Sequence, residues 1–327
     1  MNFALFCKSF GGDVERFASL CRSVRQHNKA GLPFIVSVPD HDRALFRRRF
    51  GGDDLMLLSD EDVLGSSSST ALKASRRLSG WRIQQLVKLH FARLELADAW
   101  LVVDSDFYFI RDFSANDFID PAGRVAFITS RTLHRYEGHA SDVARFLRDP
   151  QAEDGADPWG RRPASVSAAQ TAVRDASIPV SKAGRRPQFP WWLRLTDMLL
   201  RPSALRRVER PQRIFGRQGP YLNFMPGPIW TGDSLRTLRE DYLEPNGRDF
   251  GDLIRLCPWE SVWVGEWELF RGLPQRFLRA PCFLHFESDT GMAEAKRAGF
   301  RIEDFAVRYL GLALAARHQD LLEYSSE

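Results

Sequence analysis

The sequence predicts an α/β fold, a mixed or mostly parallel sheet flanked by helices, and three observations carry that reading. Apolar strand-like runs at residues 3–7, 34–38 and 55–58 alternate with helical patterns. Strand–helix–strand–helix–strand order within 58 residues argues for parallel pairing through right-handed crossovers. Leu101-Val102-Val103 is a continuous aliphatic run of the kind that fills a strand covered on both faces. That run ends in Asp104-Ser105-Asp106, and open α/β sheets bind ligands at the carboxyl ends of their strands.

The elements follow in order. Residues 3–7 form a first strand, and Ser9-Phe10-Gly11-Gly12-Asp13 turns the chain. Phe17, Leu20, Cys21 and Val24 then lie on one side of a helix. Phe34 to Val38, between Pro33 and Pro39, is a second strand, and 41–50 is a helix closed by Gly51-Gly52. Leu55–Leu58 is a third strand, and the Gly-Ser-Ser-Ser-Ser-Thr of 65–70 is a flexible loop. A helix is expected from about Gly80 to Ala99, feeding the strand before Asp104, and Val125–Thr129 is a further strand. Residues 149–190, rich in Pro, Gly, Ala, Ser, Arg and Asp, have little periodicity and suggest a long mobile insertion or lid. A strand–turn signal lies at 225–230, a Trp-rich acidic patch at 258–270 and an apolar strand at 283–286. Phe305, Tyr309, Leu310, Leu312 and Leu314 suggest a helical tail packed on the body. The halves 1–130 and 218–327 thus flank an insertion at 149–217 within one continuous domain.

Composition narrows the function classes. The 46 basic and 42 acidic residues leave a net charge of only +4, and no nucleic-acid fingerprint accompanies it. Cys7, Cys21, Cys257 and Cys282 show neither zinc spacing nor a disulfide framework, which suits free thiols in a reducing compartment. The short apolar run at the start is not a signal peptide, and no stretch reaches the length of a membrane span. A cytoplasmic protein is expected. Between Lys182 and Arg217 ten basic residues face two acids, interleaved with Trp191, Trp192 and Leu195. Such a segment suits peripheral contact with the inner membrane face through 190–217, or a solvated helix with a core-facing stripe.

The chemistry centres on Asp104 and Asp106. In an extended segment, residues two apart point to one side, so both carboxylates would aim into one crevice. Paired oxygen anions suit Mg²⁺ or Mn²⁺, which could also bridge nucleotide phosphates. On the preceding helix, Ile83, Val87, Phe91 and Leu94 make the core stripe, and Gln84, Gln85 and Lys88 lie on the flank. Lys88 there could neutralise a phosphate, and the glutamines could bond sugar hydroxyls or a base edge; an ordinary solvated face is the alternative.

Four motifs in order extend the pattern. They are Lys8-Ser9-Phe10 with Asp13 and Arg16-Phe17; Trp81-x-x-Gln84-Gln85-x-x-Lys88-Leu89; Asp104-Ser105-Asp106; and Trp263-x-x-Glu266-x-Glu268-Leu269-Phe270. Together they resemble poorly characterised bacterial proteins related to GT-A-fold glycosyltransferases of surface-polysaccharide synthesis. The likeness spans about 3–130 and 220–290 and leaves 149–215 uncovered. It implies a Rossmann-like sheet that binds a nucleotide-diphosphate sugar, with Asp106 on the metal and usually one later residue. His285, in Phe-Leu-His-Phe, would be that residue and would favour Mn²⁺, although a His so flanked also fits a core. Lys8, Ser9 and Asp13 would lie where the base and ribose sit, and Ser105 beside the phosphates.

Sugar transfer with inversion needs a carboxylate to take the acceptor's proton, while a cation compensates the departing diphosphate. Glu260, Glu266 and Glu268, among Trp259, Trp263 and Trp267, are candidate bases, with Glu266 first and Asp233 as a fourth. The expectation is a metal-dependent glycosyltransferase acting on a glycan or lipid-linked acceptor. The alternatives are a non-catalytic sugar- or nucleotide-binding protein of the same fold, or a phosphotransferase or nucleotidyltransferase using the same Asp-x-Asp. A dehalogenase-like phosphotransferase would want the pair on the first strand, and Gly11-Gly12 poorly matches a phosphate loop.

Overall fold

A computed structural model describes residues 1–52, 54–65, 78–131, 204–217, 222–286, 293, 295–297 and 299–314. The central sheet has five strands. They are β1 (Phe3–Lys8), β2 (Phe34–Val38), β3 (Leu55–Ser59), β4 (Ala99–Val103) and β9 (Ile229–Thr231), ordered β3-β2-β1-β4-β9. The first four pair in parallel, and β9 closes the far edge antiparallel to β4, with Ala99 opposite Thr231. The parallel α/β fold read from the sequence is therefore present.

Strand alternation builds a core on each face. Phe3, Leu5 and Cys7 with Ala99, Leu101 and Val103 face one way. They pack on Phe17, Leu20 and Val24 of α1 (Val14–His27) and on Phe46 and Phe50 of α2 (Asp40–Phe50). Ala4, Phe6, Trp100 and Val102 face the other way. There they meet Leu86, Val87 and Leu89 of α4 (Gly80–His90), which follows the short α3 (Asp60–Leu64). The C-terminal half completes this second layer. Leu235 comes from α6 (Gly232–Thr237), Leu253 and Ile254 from α7 (Phe250–Leu256), and Trp263 and Trp267 from α8 (Glu260–Phe270).

Smaller sheets tie the halves together. β5 (Phe107–Phe109) pairs with β12 (Gly311–Leu314), which pairs with β11 (Phe283–Phe286). β6 (Val125–Ile128) pairs with β10 (Arg276–Arg279), and β7 (Ser130–Arg131) with β8 (Leu222–Asn223).

Two expectations need correction. The helix at 80–99 stops at His90; a 3₁₀ turn follows, and Glu95 takes a left-handed φ of 52°, which reverses the chain into β4. The helical tail is instead α9 (Ile302–Phe305) followed by the strand β12. Leu310, Leu312 and Leu314 recur at spacing two, which is a strand period, and Gly311 lets the Phe283 ring and the Tyr108 carbonyl approach where a Cβ would lie 2.5 Å from each. The basic stretch enters as α5 (Ala204–Ile214), and its end is tied to the body. Arg210 donates to Leu256 O at 3.0 Å, and Phe215 sits among Tyr242, Trp263 and Trp267. Those two groups face the interior, which matches the core-facing stripe that the sequence offered as the other reading of this stretch. The rest of 190–217, and the insertion expected at 149–190, lie outside the described residues. No helix among the described residues is long and apolar enough to cross a membrane.

Candidate functional site

The parity of β4 decides where Asp104 goes. Trp100 and Val102 face α4, so the next residue of that parity, Asp104, also faces it. Side chains on a helix lean toward its N-terminus, and Lys88 leans from α4 onto the strand end. Its Nζ lies 2.6 Å from Asp104 Oδ1 and 3.2 Å from Glu260 Oε1, on the first turn of α8. Lys88 is 2% exposed. Burial alone would strip its charge, but the two carboxylates outweigh that and hold the ammonium above its ordinary value. Lys88 is therefore not on a solvated flank, because Glu260, far along the chain, covers it. Burial correspondingly raises the Glu260 carboxyl against the pull of Lys88.

Asp106 does not follow the extended geometry expected of it. The strand ends at Val103, and Phe107 N–H bonds Asp104 O at 3.0 Å, so Asp104 to Phe107 make a tight turn into β5. The turn still leaves both carboxylates beside one another, but folds Asp106 inward. Its Oδ1 is buried and has no hydrogen-bond partner. Burial, and then the charge of Asp104, push its carboxyl up to about 7. No arginine approaches either aspartate among the described residues; Lys88 is the one cation paired with Asp104.

A buried polar lattice frames the turn. Ser105 Oγ donates to Ser9 Oγ at 2.9 Å, linking the ends of β4 and β1. Lys8 Nζ pairs with Asp60 Oδ2 at 3.1 Å and donates to Ser9 O, and Ser37 Oγ donates to Asp60 Oδ1 at 2.6 Å. Lys8 is 4% exposed and committed to these partners, so it fastens strand ends and does not present charge to a nucleotide. Asp60 was missed by sequence reasoning. Its signal is Ser59-Asp60-Glu61-Asp62, a capping box that opens α3 at the carboxyl end of β3, where sites form. Asp13 pairs with Arg16 at 2.7 Å, and its charge adds to the field raising Asp106. Gln85 is buried, and Gln84 is partly exposed on the same turn.

Three proposed bases lie elsewhere. Glu266 is fully buried, and both its oxygens are taken by Arg217, Nε to Oε2 and Nη2 to Oε1, each at 2.6 Å. A carboxylate so occupied cannot accept a substrate proton. Glu268 is 1% exposed, accepts from Ser234 Oγ and lies 3.2 Å from the buried Arg276. Asp233 follows β9 beside Asp98, at the amino end of β4, and is held by Arg236 at 2.6 Å and Arg271 at 2.8 Å. The length of β4, about 16 Å, separates it from Asp104. The partners Trp263 and Trp267 are core residues that donate to Leu253 O and Thr237 Oγ1. Of the acids in this segment only Glu260 reaches the Asp104 crevice.

His285 lies on β11 opposite Ala313, which in turn opposes Phe107, so two strand spacings separate it from the turn. Among the described residues no three His, Cys, Asp or Glu side chains gather as a metal-binding group. Two carboxylates remain, one with a sealed and unpartnered oxygen. That donor set fits a hard cation that keeps several waters or phosphate oxygens, as Mg²⁺ commonly does, and Mn²⁺ tolerates the same oxygens. A groove of about 810 Å³ lies at the other end of the sheet, lined by His90, Arg93, Asp98, Asp233, Glu268 and Arg276 among others.

Fold and site together define an α/β protein with a carboxylate pair at the carboxyl end of a central parallel strand. Residues 5–177 match a family of unknown function, DUF6492, and the chain belongs to that family. No curated protein matches the chain.

Proposed function

We propose that this protein is a metal-dependent glycosyltransferase that moves a sugar from a nucleotide-diphosphate donor to a glycan or glycolipid acceptor. One observation carries the reading: Asp106 keeps a buried, unpartnered oxygen next to the charged Asp104, in a turn at the end of β4. Such an arrangement costs stability, and a divalent cation would relieve it by neutralising both groups. Asp104 and Asp106 would hold the cation, which when bound would compensate the charge of a departing diphosphate. Lys88, steadied by Glu260, fixes the rotamer of Asp104. The Ser9–Ser105 bond and the Lys8–Asp60–Ser37 lattice hold the loop ends so that the pair stays aimed at one point.

Thermal melting tests this reading. The intact chain is melted with ADP, GDP, CDP, UDP or dTDP, with and without Mn²⁺. At a hundredfold excess over Kd a ligand adds about 2.7 kcal/mol, so one nucleotide should raise Tm by several degrees only when the metal is present. If no nucleotide shifts Tm under any of these conditions, the reading is wrong.

A further inference from the structure

One face of α4 carries more than Lys88. Trp81, Gln85 and Lys88 stand at i, i+4 and i+7, a single row along the helix. At the outer end, Trp81 is 48% exposed, and its ring meets Trp259 edge to face at 6.0 Å and 74°. Trp259 immediately precedes Glu260, so the same two helices that clamp Lys88 also bring the two indoles together. Between them and Lys88 sits Gln85, only 4% exposed. Its Nε2 donates back to Trp81 O at 3.3 Å, while its Oε1 is buried and accepts from nothing among the described residues. The row runs from an open aromatic surface, through a buried acceptor without a donor, to the Lys88–Asp104 contact.

We propose that this row is a binding subsite for a pyranose ring beside the aspartate pair. A sugar has the complementary chemistry. Its axial C–H face packs on an exposed indole, and its ring edge carries hydroxyls that can donate to an oriented amide oxygen. A buried Gln oxygen left unsatisfied destabilises the free protein and is repaid by an O–H donor from a ligand. An apolar ligand would use Trp81 and leave Gln85 unsatisfied. The subsite deepens the transferase reading and rests on it for its biological sense, but transfer to a free glycoside, the outcome that decides it, requires neither nucleotide nor metal, so either can fail alone.

Saturation-transfer NMR on the intact chain supplies the test. The probes are the methyl glycosides of glucose, galactose, mannose, rhamnose and N-acetylglucosamine, mixed with adenosine and uridine as controls. Transfer to at least one glycoside is expected, strongest at its ring C–H protons. It should be lost in Trp81→Ala, which removes the stacking surface at an exposed position, and in Gln85→Leu, which keeps the volume and removes the acceptor. Added UDP-glucose, GDP-mannose or dTDP-glucose with Mn²⁺ then separates the sources. Displacement of the glycoside assigns the subsite to the donor's sugar, and retention assigns it to the acceptor's; both support the proposal. Transfer to no glycoside, transfer only to the nucleosides, or undiminished transfer in both variants would overturn it.

Discussion

The two ends of the central sheet treat carboxylates in opposite ways. At the amino end, the acids nearest the end of β4 are held by counter-charges or donors. Asp233 lies between Arg236 and Arg271, and Glu268 between Ser234 and Arg276. At the carboxyl end, Asp104 shares one lysine with Glu260, and Asp106 has no partner for Oδ1. Yet the groove of about 810 Å³ is at the amino end. This groove and the unpartnered carboxylate therefore sit on opposite sides of one sheet. The difference teaches that the charge left uncompensated, more than the space beside it, marks where a cation could be held. Compensated pairs contribute to folding, and the proposed function takes the uncompensated one as the place where a cation binds.

Breaking the amino end should cost the most. Glu268→Ala leaves the Arg276 guanidinium buried without its carboxylate, a loss of about 3–5 kcal/mol. Urea unfolding should show that loss in the absence of any substrate. A variant as stable as the native chain would make Glu268 expendable for the fold and return it to the list of catalytic acids.

A pH titration sharpens the same contrast. His90 lines the groove, with Phe250 edge to face at 5.1 Å. Burial, and then Arg93 and Arg239, hold its pKa down at about 4. The unfolded chain takes up this proton near pH 6.5, so between those values the unfolded state binds more protons than the folded one. Stability is then complete above about pH 6.5 and falls as the pH drops toward 4, by about 3 kcal/mol. His90→Gln should flatten that part of the stability profile; an unchanged slope would assign the proton to another group.

The smallest effect belongs to the exposed side of the groove. Arg236 is 54% exposed at its side chain and Asp233 51%. Arg236→Ala should leave the unfolding free energy nearly unchanged, because exposed pairs are screened. A larger loss would mean that the groove wall is held more tightly than its exposure indicates.

Much of the fold was legible in local pattern. Phe34–Val38 between two prolines, and the alternation along β1 and β4, give parallel strands with a helix layer on each face. The same alternation tells which layer Asp104 faces. What pattern could not give is partnership across the chain. Lys88 reads as a solvated flank until Glu260, 172 residues away, covers it. Glu266 reads as an acid tuned by tryptophans until Arg217 takes both its oxygens. The turn at Asp104–Phe107 was hidden because an aliphatic strand followed by aromatics looks continuous, and nothing local marks the reversal. β12 is different: the spacing of Leu310, Leu312 and Leu314 carried the strand period, and the neighbouring aromatic residues masked it.

Asp106→Asn asks most directly whether the unpartnered carboxylate exists for a cation. Native and variant chains are melted side by side at pH 8, alone and with Mn²⁺ and the nucleoside diphosphates. The variant alone should melt no lower than the native chain, since a neutral amide removes the repulsion from Asp104, and its metal-dependent shift should vanish. A variant that melts lower on its own, or that keeps the full shift of the native chain, would contradict the assignment of Asp106 as a cation ligand.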